Sequence, residues 1–134
     1  MRLEQIDHLA LRCASPEQTK AWYVSTLGFE QVTLGEGPGA PIFLRLESTC
    51  LTIFPQKEHE QTPAGGRIWH FALRAGAYAD FRLAQTELQA KGIAFQFRDH
   101  EFAHSIYFYD PDGTLLEITT YDLPEGSDKD RVVT

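Results

Sequence analysis

With two cysteines in 134 residues, Cys13 and Cys50, the chain cannot carry a disulfide framework, and their spacing fits no C-x-x-C redox or zinc motif. Both sit in apolar stretches and read as buried free thiols. Basic residues are also scarce. Twelve Lys and Arg face nineteen Asp and Glu, for a net charge of −7 and a pI near 5.1. No cationic cluster offsets this locally, so nucleic acid is excluded as a partner. No apolar run approaches the roughly 18 residues that a membrane span needs, and MRLEQIDH lacks the basic and apolar regions of a signal peptide. The expectation is a cytoplasmic protein without membrane contact.

What is present is ordinary globular composition, 43% hydrophobic and 23% charged. A chain of this length fits one domain and buries roughly two-thirds of its unfolded surface. An internal repeat organises it. Ile6-Asp7-His8-Leu9-Ala10-Leu11-Arg12 matches Ile68-Trp69-His70-Phe71-Ala72-Leu73-Arg74 at five of seven positions, with an offset of 62.

After the first copy, Ser15-Pro16-Glu17-Gln18 has a capping-box pattern with Pro at the first helical position, opening a helix that closes near Leu27-Gly28. After the second, Tyr78 to Lys91 reads as a helix with Phe81, Leu88 and small alanines on one side and Gly92 as its stop. Strands follow each helix. The first half continues with Phe29 to Leu34, a Gly/Pro loop from Gly35 to Pro41, Ile42 to Leu46 and Cys50 to Phe54. The second continues with Ile93 to Arg98, Ser105 to Tyr109 and Thr114 to Tyr121 around the turn Asp110-Pro111-Asp112-Gly113.

The predicted fold class is therefore α+β, two βαβββ modules. One curved four-stranded sheet buries its concave face poorly alone, so the modules should pair into an incomplete barrel, closed within one chain or between two. The domain is expected over residues 1–122, with repeat 1 at about 3–54, a polar linker at 55–67, repeat 2 at about 68–121 and a mobile charged tail at 123–134. Trp22 and Tyr23 should pack the first helix on its sheet, and His59 reads as a solvated linker residue.

Alternation along a strand puts Ile6, His8 and Ala10 on one face, and the repeat gives His70 the corresponding place. Two histidines in pseudo-equivalent strands suit a divalent metal. Glu117, within Leu115-Leu116-Glu117-Ile118, is an acid among apolar residues, which must be protonated, paired or bound to a metal. Two His and one carboxylate form a facial triad that leaves positions open for substrate and water. Aligning the last hairpins sets Thr52 against Glu117; threonine is a poor ligand, which argues for three protein ligands. Arg12 and Arg74 end the repeated strands, where they either lie at the surface or meet an anionic substrate.

These residues resemble the vicinal oxygen chelate superfamily, which includes glyoxalase I, extradiol ring-cleaving dioxygenases, fosfomycin-resistance thiol transferases and methylmalonyl-CoA epimerase. The resemblance spans roughly residues 3–122 and is most specific in IDHLAL, IWHFAL and SIYFYDPDGTLLEI. It implies His8, His70 and Glu117 as ligands of one divalent ion, Fe2+, Mn2+, Ni2+, Co2+ or Zn2+, on which a small substrate chelates through adjacent oxygens. It also implies a homodimer with sites at the interface. Glyoxalase I typically has four protein ligands, a pattern from which Thr52 departs unless Glu47 compensates. Tyr107, ten residues before Glu117, stands where dioxygenases and fosfomycin transferases carry a tyrosine. His100 and His104, just upstream, offer a second acid/base group for ring cleavage, or else lie solvated in the loop. The stretch TTYDLPEGS lacks the cation that fosfomycin transferases carry after the Glu, which weakens that alternative. Drug-sequestering members of the superfamily, which bind without metal, provide the non-catalytic alternative.

Overall fold

The computed structural model describes residues 1–2, 4–33, 40–57 and 68–125. His59 and most of the polar linker fall outside the described residues, as do Leu34, most of the Gly/Pro loop and the tail beyond Glu125.

The chain divides into two compact units, Met1–Pro63 and Ala64–Thr134. The first contains β1 (Leu9–Cys13), α1 (Pro16–Leu27), β2 (Glu30–Val32), β3 (Ile42–Leu46) and β4 (Thr49–Pro55). The second contains β5 (Phe71–Arg74), α2 (Tyr78–Ala90), β6 (Gln96–Asp99), β7 (His104–Tyr109) and β8 (Leu115–Thr120). Each is βαβββ, as the repeat predicts. Strand order is β1-β4-β3-β2 in one sheet and β5-β8-β7-β6 in the other. The first and last strands of each unit pair in parallel, and all other pairs are antiparallel.

The helix ends follow local chemistry. Gly28, at φ 79°, closes α1, with its N–H on Val24 O and that of Phe29 on Tyr23 O. Gly92, at φ 69°, plays the same part after α2, where the Ile93 N–H reaches Leu88 O at 2.9 Å. Ser15 does stand before Pro16, but its side chain makes no capping hydrogen bond. The N-terminus of α2 is held from afar: Asp122 accepts a hydrogen bond from the Tyr78 N–H at 3.0 Å, and Leu123 is buried. Asp122 and Leu123 thus belong to the second unit.

In the first unit, Cys13, Tyr23, Phe29, Leu44, Leu51 and Ile53 form the core; Tyr23 meets Phe29 edge-on at 5.6 Å and Trp22 packs against Tyr23. In the second, Phe81 and Leu88 of α2 join buried Ile106, Phe108, Leu116 and Ile118 of the sheet. The expected alanine stripe is interrupted by Gln85, which is buried between them and accepts from Arg82 Nη1 at 2.9 Å. Neither cysteine is in a disulfide. No helix among the described residues is long and apolar enough to cross a membrane.

Candidate active site

Register decides which side chains share a face. In the second unit Ala72 pairs with Glu117, Glu117 with Tyr107, and Tyr107 with Gln96; the next row is Arg74, Thr119, Ser105 and Arg98. Alternation puts both rows on the sheet face opposite α2. The first unit repeats the pattern, with Ala10 against Thr52 and Thr52 against Phe43. Thr52 therefore occupies the place of Glu117. Glu47 lies in the turn between β3 and β4, at φ 50°, outside that register.

Glu117 is buried, and its Oε2 lies 2.9 Å from His70 Nε2 across the β5–β8 pair. His70 Nδ1 is buried without a hydrogen-bond partner. The His70 ring also meets Tyr107 edge-on at 5.7 Å. Burial, then the charge of Glu117 and a hydrogen bond to it, push the Tyr107 phenol above its ordinary pKa, with Ser105 and Arg98 pulling partly back. The phenol thus stays protonated at neutral pH and serves as a donor.

On its other side the Tyr107 hydroxyl lies 3.1 Å from His100 Nε2. His100 is pinned rather than loose: its N–H binds Ala103 O, and Asp99 Oδ1 accepts from the Glu101 N–H at 2.8 Å while Glu101 adopts φ 69°. A non-glycine residue in that region stores strain, which is commonly retained beside functional groups.

His104 does not join them. It lies on the helix side of the sheet, buried against Phe97, Tyr78 and Phe81, with Nε2 3.6 Å from Asp99 Oδ1. The physical reason is spacing: three residues separate it from Tyr107, and an odd separation along a strand reverses the face. Of the two histidines offered as acid/base groups or solvated loop residues, His104 is therefore buried away from the face of Tyr107 and Glu117.

His8 belongs to the first unit. Its Nδ1 lies 2.8 Å from Asp7 Oδ2, and about half of its side chain is exposed. A carboxylate accepting from one ring nitrogen fixes the tautomer and leaves the other nitrogen free as a ligand. Among the described residues, no three His, Cys, Asp or Glu side chains are gathered as a ready cage for an ion. The structure therefore brings together His70, Glu117, Tyr107 and His100, and presents His8 with an oriented ring.

Residues 5–118 match the Glyoxalase/Bleomycin resistance protein/Dioxygenase superfamily. The chain belongs to this superfamily. The uncharacterized protein YwkD of Bacillus subtilis (strain 168) is 33% identical, over 88% of this chain and 98% of that one. Among solved structures, a glyoxalase family protein from Enterococcus faecalis has a TM-score of 0.70 at 26% identity, over 89% of this chain and 99% of that one. A lactoylglutathione lyase from Agrobacterium tumefaciens reaches 0.72 at 22% identity, over 90% and 96%, a likeness of fold.

Members of the glyoxalase superfamily commonly bind a divalent metal. The donor types here suit one: the His8 ring beside the Asp7 carboxylate in the first unit, and the His70 ring facing the buried Glu117 carboxylate in the second. Arg74 lies on the same sheet face with its guanidinium 5.1 Å from the centre of the Tyr121 ring. The Tyr107–His100 hydrogen bond and the cavities either side of it escape composition and repeat analysis, because His100 stands in a loop where alternation gives no direction.

Proposed function

We propose that this chain is a metal-dependent enzyme of the glyoxalase/dioxygenase type. It takes a small substrate through two adjacent oxygens and stabilises the anion that develops on them, in a lyase, isomerase or ring-cleaving reaction. His8, His70 and Glu117 hold one divalent ion, and the chain works as a homodimer with its sites at the interface. The observation that carries this reading is the contact of buried Glu117 with His70. A carboxylate that has lost its water needs a partner, and the imidazole 2.9 Å from it forms with it a ready pair of ligands.

The bound ion would supply Lewis-acid polarisation of the substrate oxygens. The protein's own part is to place a proton. The Tyr107 hydroxyl, held neutral, donates to an oxygen that becomes anionic beside Glu117. When it does, its own oxygen can accept from His100, provided the proton of that ring sits on Nε2. Tyr107 and His100 thus form a short relay leading away from the reacting oxygens.

Elemental analysis of protein purified without chelator or nickel resin, wild type against Glu117→Ala, tests the reading. The expected result is close to one metal per site in the wild type and a loss of at least about tenfold in occupancy for the variant, as for removal of a ligand from a three-ligand site. Iron would point to dioxygen chemistry, nickel or zinc to isomerisation. Absence of metal from both proteins after reconstitution would overturn the enzyme reading in favour of a small-molecule binding protein.

A further inference from the structure

Beside the Tyr107–His100 pair a cavity of about 450 Å³ opens in the second unit. This is the size range of pockets that hold compact organic ligands. Its walls carry Trp69, Tyr107, Tyr109 and Leu115, and the aromatic area is not covered: Trp69 is 77% exposed and Tyr109 63%. Register puts Gln96, Arg98, Tyr107, Tyr109 and Leu115 on one sheet face, the face of Glu117.

The charge in this cavity runs against that of the whole chain. In a protein of net charge −7, no acidic side chain is among the described residues that line it, and Arg98 is the permanent cation among them. Among the described residues no ion pair or hydrogen bond engages the Arg98 guanidinium. A fork of donors set among aromatic surfaces matches a planar monoanion, which it can grip through two parallel hydrogen bonds. A phosphoryl dianion would call for further permanent cations, and none is among the described residues that line the cavity. Tyr107 borders both this cavity and Glu117, so a ligand seated here would have its far end beside the proposed reacting oxygens.

We infer that the substrate is a flat, apolar carboxylate: an aromatic body that rests on Trp69 and Tyr109, with its carboxylate on Arg98, in addition to the adjacent oxygens that react. This rests on the proposed function for the identity of the reacting end, but the binding of body and carboxylate does not. The Arg98 contact sets specificity, and Gln96 beside it on the strand offers an amide for the same anion.

Calorimetric titration of the full chain, with metal and after chelation, with 2-naphthoate, 2-naphthamide and acetate tests the inference. The naphthoate should bind about tenfold or more tightly than the amide in both states, which is the worth of one charge-assisted hydrogen-bonded pair. Acetate, lacking the ring, should not bind measurably. Arg98→Gln should bring naphthoate down to the amide's level with amide affinity and metal content unchanged, and Arg98→Lys should keep part of the preference, which separates lost charge from lost fold. Equal affinities in the wild type, no binding of either ring compound, or a preference retained in Arg98→Gln would overturn it, as would a preference that vanishes with the metal. A wild type that takes up no metal even on reconstitution, yet prefers naphthoate, would sink the enzyme reading alone.

Discussion

Tyr107 shows how one side chain's chemistry is set by what packs on it. Burial is the larger cause of its raised pKa, followed by Glu117, so the two are separable. In metal-free protein, the difference in phenolate absorbance between wild type and Tyr107→Phe should titrate above the ordinary tyrosine range. Glu117→Gln should bring it part of the way back, because burial persists. The linkage has a definite sign. A group whose folded pKa is raised contributes stability that is complete below the unfolded value and is lost as pH climbs through the folded one. Alkaline unfolding should therefore become less steep in Tyr107→Phe. A difference titrating at the ordinary value, or one unmoved by Glu117→Gln, would remove the basis for Tyr107 as a neutral donor.

At the scale of elements, α2 lacks a side-chain cap of its own, since its N-cap residue is Ala77. Asp122 provides the acceptor from 44 residues away, at a helix end where the dipole also favours a negative charge. Asp122→Ala should cost about 1 kcal/mol in urea unfolding with an unchanged denaturant slope, and Asp122→Asn should recover most of it; if Ala and Asn behave alike, the contact is not a cap. The sequence could not show this device, because a cap supplied by a distant strand end leaves no local pattern. Helix C-termini were legible for the opposite reason: Gly28 and Gly92 meet a backbone demand within their own turn. Strand register was legible as well. The equivalence of Thr52 and Glu117 follows from hairpin alignment alone and is met by the Ala10–Thr52 and Ala72–Glu117 pairs. His104 was misplaced although its odd separation from Tyr107 already gave its face. Arg98 and Trp69 were passed over because their meaning lies in a shared cavity wall, which strand alternation alone does not reveal.

At the scale of the whole molecule, the chain is one supersecondary unit written twice, with first strands 62 residues apart and last strands, at Thr52 and Glu117, 65 apart. The two copies have diverged where chemistry would be placed. The second keeps an acid where the first has a threonine and a tyrosine where the first has Phe43, while both keep the histidine before the first strand. The proposed set of ligands therefore draws His8 from one copy and His70 with Glu117 from the other. In the proposed homodimer each set takes His8 from one protomer and the remaining ligands from its partner, and that arrangement has an arithmetical signature. Co-expressed His8→Ala and Glu117→Ala chains that pair at random give about half heterodimers, each with one intact set of ligands out of two. Metal content should then recover to about a quarter of wild type, from near zero in either variant alone. Recovery to that level, measured on heterodimers isolated through two different tags, would rise to about half of the wild-type content, since every isolated dimer then carries one intact set. Ligands drawn from a single chain would give no recovery in any mixture, because every chain would lack one of its own.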